Sequence, residues 1–249
     1  LGVPFAISKF VQGEAITECL PEGYPDTPEC RDAVGSALID SLASVHAIEP
    51  PASGLGSLEK GRCFVARQIE RWRDERSRNQ VRDLPLIEEL GSWLSDRTPE
   101  ADAIRIVHCD FHLDNVLMDP RHPKVNAILD WEMATLADPM VDVGLVTAFW
   151  NRDEHGPLGF AFVQRISNDP RVMSGDDLAY RWAQSSGLSI ARLRYFQAFA
   201  FWCLAAIVEG AYVLYRRGQV DGAYERGLEH DVPALLEAAS IFASEEGFA

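Results

Sequence analysis

Apolar residues recur along most of the chain at the three- and four-residue spacing of a helix face, and only a few short stretches alternate or run together as strands do. Val34, Leu38, Leu42 and Val45 form one such stripe. They predict a helix over 26–46, capped by Asp26 or Thr27, with Pro28 in a first turn where a missing N–H costs nothing. Phe64, Gln68, Ile69 and Trp72 share a face of a charged helix over 62–79, and Leu86, Ile87, Leu90, Trp93 and Leu94 do so over 84–96. Asp138-Pro139 opens a helix through Trp150. Ser174 and Asp177 have the spacing of a capping box for a helix ended by Gly187. Ser189 then starts a long apolar helix that runs to Gly218, and 228–243 gives a last one, with Pro233 expected only near its start. The strand candidates are 4–11, closed by a Gln12-Gly13 turn, then 104–107, and a hairpin of 116–118 with 125–129 around the turn 119–123. The expected architecture is a mostly helical lobe with a small hairpin, undivided by repeats or linkers.

Polar residues that interrupt this pattern concentrate between Ile106 and Gly144. His108-x-Asp110-x4-Asn115 is followed by a strand ending at Asp130, then by Asp138 and Asp142. The order matches a kinase catalytic loop and the later metal-holding carboxylate. Phosphoryl transfer asks mainly for positioning and charge neutralisation, so one carboxylate must face the hydroxyl nucleophile while oxygen ligands face Mg2+. Asp110 is the candidate base, and Asn115 and Asp130 are the candidate metal ligands. His108 would brace the loop, His112 could reach the γ-phosphate, and Asp142 could brace the loop from the next helix. Taken singly, each of these residues has an ordinary explanation as a turn or cap residue. Their joint order carries the functional reading.

The stretches HCDFHLDNVLMD and ILDWEMATLADPMVDVG resemble the aminoglycoside phosphotransferase (APH) and choline kinase-like family, small-molecule relatives of protein kinases. The likeness is greatest to the branch associated with acyl-CoA dehydrogenases, through Leu113-Asp114-Asn115, Leu129 to Leu136, Arg67 to Trp72 and the helix from Phe199 to Gly218. The resemblance implies an α+β, protein kinase-like fold, of which this chain is mainly the large, mostly helical C-terminal lobe with a small catalytic β-hairpin. Residues 1–13 would be the last strand of the small lobe and the hinge, with Lys9 C=O and Val11 N–H on the adenine edge, and 14–249 the C-terminal lobe. ATP and Mg2+ are the implied cofactors, and a small-molecule hydroxyl, on a hydroxyacyl compound or an aminoglycoside, is the implied acceptor. Association with acyl-CoA dehydrogenase-type enzymes is implied as well. Two residues depart from the family pattern, Cys109 and Ala137, each standing where glycine is usual. No G-x-G-x-x-G occurs, and lysine occurs only at 9, 60 and 124, so most of the small lobe is expected to be absent from this chain. The alternative is a non-catalytic remnant or scaffold that keeps the large lobe alone.

Charge and cysteine usage narrow the partners. A net charge of −15 argues against nucleic acid or an anionic membrane, which need a basic footprint, and leaves cationic small molecules open. General surface acidity is the simpler explanation. Cysteines at 19, 30, 63, 109 and 203 show no metal-ligand spacing and suit reduced thiols in a cytoplasm, and the first ten residues have no signal-peptide pattern. The apolar run 195–215 contains Gln197 and Glu209 and is flanked by arginines, which predicts a core helix rather than a membrane span. Arg67 and Arg71 could meet an anionic group, although a solvated helix face is the simpler role.

Overall fold

The structure, a computed structural model, describes residues 8–50, 64–151 and 163–248. Thr27 is extended and its hydroxyl accepts from Cys30 N, which starts α1 (Pro28–His46). α2 (Phe64–Asn79) and α3 (Pro85–Asp96) follow, with residues 62 and 63 of the expected helix outside the described residues. α4 (Met140–Ala148) begins after Pro139. Ser174 and Asp177 complete the reciprocal cap of α5 (Gly175–Ser186), and Gly187 ends it with φ 70°. α6 (Leu193–Arg216) and α7 (Ala223–Ser244) close the chain.

α6 is the axis of the core, packed by α7, α4, α2 and α3. It is long and apolar enough to cross a membrane by composition, yet its polar residues are answered inside the protein. Buried Gln197 donates to Thr147 Oγ1 at 3.1 Å, and buried Glu209 meets Arg82 Nη2 at 2.5 Å. Its contact with α4 requires Gly144, where a Cβ would lie 2.6 Å from the backbone carbon of Phe196. Only glycine lets two helix backbones approach this closely.

Two antiparallel pairs carry the functional segment. β1 (Arg105–Val107) pairs with β4 (Thr135–Ala137), and β2 (Val116–Met118) pairs with β3 (Val125–Ile128). The hairpin was legible in the alternation. β4 was not, because a three-residue strand buried on every position has no period to show.

Three expectations need correction. Residues 4–7 of the expected first strand lie outside the described residues, while 8–13 take no regular structure and pairing begins at Glu14, opposite Met118. α6 starts at Leu193 rather than Ser189, because Ser189 Oγ accepts from Ala191 N in a turn of its own. Pro233 stands well inside α7, not near its start. Proline deprives the carbonyl four residues earlier of its donor, here Glu229. Arg82 supplies the replacement, donating to Glu229 O at 2.8 Å and to Leu228 O at 3.1 Å.

Candidate active site

β1 delivers the loop that follows it to the centre of the lobe, and a carboxylate from another element holds the loop's backbone. Asp142, on the first turn of α4 and fully buried, accepts from Cys109 N at Oδ1 and from His108 N at Oδ2, both at 2.7 Å. A carboxylate removed from water is tolerable only when donors surround it. His46, at the end of α1, provides a third donor, its Nε2 lying 3.2 Å from Asp142 Oδ2. Trp182 Nε1 donates to His46 Nδ1 at 3.0 Å, which places the imidazole hydrogen on Nε2, facing Asp142. Sequence reasoning anticipated Asp142 but missed His46 and Trp182. Their only signal was a histidine and a tryptophan on otherwise apolar helix faces.

This clamp explains the unusual residue in the loop. Cys109 adopts φ 67°, the left-handed region where glycine is usual and where a side chain costs roughly 1–2 kcal/mol. Its thiol packs against the core, and burial pushes its pKa well above the ordinary thiol range. The backbone therefore keeps the turn that glycine would give, with two short bonds to Asp142 offsetting the strain.

Within the loop, Asn115 Nδ2 donates to both the backbone O and the Oδ2 of Asp110, each at 2.8 Å. Two acceptors on one side fix the amide's orientation and leave Oδ1 directed elsewhere. Asp110, with its side chain 46% exposed, is thus held but reachable. His108 is fully buried, so it touches no substrate; its Nε2 donates to Leu129 O at 2.6 Å, and its ring lies 4.9 Å from that of Trp131. It ties the loop to the residues on either side of Asp130. Asp130 is exposed, with φ 58° and ψ 58°, a left-handed conformation that aspartate accepts more readily than most residues. Leu129 N donates to Asn115 O at 2.8 Å, a second tie between the segments that carry the two candidate metal ligands.

His112 sits between two carboxylates, with Nε2 3.4 Å from Asp110 Oδ1 and Nδ1 3.1 Å from Asp114 Oδ2. Burial alone would disfavour its charge, but hydrogen bonds and charge pairing with Asp110 and Asp114 outweigh this and push the imidazole up to about 9. The hydrogen bond from His112 in turn holds Asp110 below the usual carboxylate range. Because the folded value exceeds the ordinary 6.5, the stabilisation is complete below about pH 6.5 and is lost as pH rises through about 9. The loss should be on the order of 2 kcal/mol, allowing for solvent at half-exposed Asp110. Melting temperature should therefore decline across this window, and His112→Gln should flatten the decline; an unchanged slope in the variant would exclude His112 as its source.

Lys9 is exposed and Val11 half-buried. The segment after them is strapped to the hairpin. Gln12 O accepts from Asn126 Nδ2 at 3.1 Å, and Glu14 and Met118 exchange backbone bonds at 2.9 Å. Burial pushes the Asp138 carboxyl up to about 6. Its Oδ1 accepts from Met140 N at 2.9 Å, so its part is to start α4, which carries Asp142. Asn115 Oδ1 and the Asp130 carboxylate are hard oxygens of the kind Mg2+ takes, in the number it uses when substrate phosphates supply the rest. Among the described residues, no group of three or more His, Cys, Asp or Glu is arranged to hold a metal ion.

Comparison with known proteins bears on the fold and the family. A structure from Ralstonia eutropha, described as that of an aminoglycoside phosphotransferase, superposes with a TM-score of 0.80 at 26% identity, covering 95% of this chain and 72% of that one. Choline kinase from Cryptosporidium parvum shares the fold with a TM-score of 0.62 at 12% identity, covering 95% and 71%. The fold is thus the kinase-like one the sequence motifs implied. In sequence, the chain is 26% identical over its whole length to acyl-CoA dehydrogenase family member 10 of Mus musculus, covering 23% of that protein. It is 28% identical over 95% of its length to family member 11 of Gallus gallus, covering 31% of it. The chain thus spans less than a third of these curated relatives. The family model described as "Phosphotransferase enzyme family" (APH) matches residues 1–175, the stretch that includes the loop, the hairpin, Asp130 and Asp142, and the chain belongs to that family.

Proposed function

We propose that this chain carries the catalytic residues of a kinase that moves the γ-phosphoryl group of ATP, with Mg2+, to a hydroxyl of a small molecule. The observation that supports the reading is the pair of hydrogen bonds from Asn115 Nδ2 to Asp110, which holds the Asp110 carboxylate for an acceptor and leaves the Asn115 amide oxygen available to a metal. Asp110 orients the acceptor hydroxyl and takes its proton as the new O–P bond forms. His112, charged at neutral pH, offers a cation beside the transferring phosphoryl oxygens. Asn115 and Asp130 would hold Mg2+, which when bound would neutralise charge on the nucleotide phosphates. Lys9 C=O and Val11 N–H pair with the adenine edge, in the hinge that leads into the large lobe. His108 and Asp142 position the loop without touching substrate.

For the acceptor, we propose a hydroxyacyl compound, in association with acyl-CoA dehydrogenase-type chemistry. Support comes from the relatives named acyl-CoA dehydrogenase family members and from the exposed apolar residues that flank Asp130, namely Leu129, Trp131 and Met133. A coupled ADP-release assay with hydroxyacyl thioesters and kanamycin-like amines at equal concentration tests this. Faster turnover of the amines would overturn the acceptor class and leave the kinase reading standing. No ADP release with any acceptor, together with absent Mg-ATP binding, would favour a scaffold that retains the fold alone.

A further inference from the structure

A second feature lies outside the phosphoryl-transfer loop. Between α2 and α6 is a cavity of about 300 Å3, at the lower end of the volumes that hold small ligands. Its walls are mainly apolar, with Trp72 from α2, Ile87 from α3, and Ala206 and Val213 from α6. Half-exposed Leu214 stands at its mouth. Gly210 faces this space in mid-helix, and a Cβ there would meet no atom within 4 Å. Close backbone packing therefore does not require glycine here, and its helix-weakening presence leaves room unfilled.

One buried cation in the wall is incompletely paired. Arg76, its side chain 7% exposed, lines the cavity one turn beyond Trp72. Its Nε donates to Glu88 at 2.8 Å, but Glu88 is half exposed. Its Nη1 is buried with no hydrogen-bond partner, 3.9 Å from the nearest oxygen of Glu209. Glu209 is already engaged by Arg82 through three bonds of 2.5 to 3.2 Å. Buried Arg76 and partly buried Arg82 thus share Glu209, and Arg76 pairs with Glu88 as well. At the rim, Glu75 accepts from Asn79 at 2.6 Å, and Arg217 adds a further cation. A buried guanidinium with one unpaired N–H beside a largely apolar cavity is complementary to an anion with an apolar tail, whose carboxylate would supply the missing acceptor.

We infer that the α2–α6 cavity is a binding site for a small anionic amphiphile, a medium-chain carboxylate whose head group seats at Arg76 and whose tail runs along Trp72, Ala206 and Gly210. The inference does not depend on the kinase reading.

Calorimetric titration of the full-length protein with octanoate, octanol and octylamine tests it. Octanoate should bind saturably with one site per chain, and octanol and octylamine at least about tenfold more weakly, the range of one charge-assisted hydrogen bond. Gly210→Leu should fill the space and abolish octanoate binding without lowering the melting temperature, while Gly210→Ala should raise the melting temperature and keep most of the affinity. Arg76→Gln should weaken octanoate about tenfold and leave octanol unchanged. The inference is overturned if octanoate shows no saturable binding, if octanol binds equally well, or if Gly210→Leu binds octanoate as the wild type does. A dimer seen by sedimentation that octanoate does not dissociate would also overturn it, by assigning the cavity to a second copy of the chain.

Discussion

Asp110→Asn is expected to lower kcat by roughly 10²–10⁴-fold, the contribution typical of a positioned proton acceptor, while the melting temperature and Mg-ATP affinity stay close to wild type. The substitution adds no volume, and an asparagine oxygen can still accept from Asn115 Nδ2, which now spans Asp110 O and Oδ2 at 2.8 Å. What disappears is the negative charge that orients a hydroxyl and takes its proton. A companion change follows from the pairing with His112: without the Asp110 charge, the imidazole should titrate below its present value of about 9. NMR titration of His112 thus reports whether the variant's loop remains built as designed, separately from the rate. Near-normal turnover with His112 shifted would remove Asp110 from the mechanism.

Asp130→Asn is expected to weaken Mg-nucleotide binding about tenfold to a hundredfold, the effect of losing about 1.4–2.8 kcal/mol of attraction. Asparagine is the informative replacement, because residue 130 has φ 58° and asparagine tolerates that region. Asp130→Ala would remove the same ligand but add backbone strain, so its larger defect would mix two causes. Neither change should disturb the loop. His108 holds Leu129 through the carbonyl, and Asn115 holds it through the amide, so the backbone that presents residue 130 is fixed from both sides. Calorimetry with Mg-ATP and with Mg-ADP would check the assignment. Unchanged affinity in the Asn variant would exclude Asp130 as a metal ligand.

The sequence by itself determined the helices with an amphipathic stripe or a capping pair, since these signals are local: Thr27 before α1, Ser174 with Asp177 at α5, Gly187 behind it. It also carried the order His108, Asp110, Asn115 and Asp130 on which the proposed chemistry rests, because that spacing is set by one loop and one hairpin whose turns are short. Tertiary structure decided everything that crosses between elements. β4 exists through its register with β1, and Pro233 sits inside α7 because Arg82, far away in sequence, supplies the carbonyls with donors. Cys109 keeps a glycine's backbone because Asp142 binds its amide, and Asp142 is itself held by His46 and, behind that, Trp182. Asp142 was legible from its place after Asp130, but Arg82, His46 and Trp182 have no periodic or spacing signal, since a hydrogen bond across a hundred or so residues leaves no trace in local pattern. Burial makes such bonds decisive: a polar group taken out of water must find its partner wherever the chain brings one.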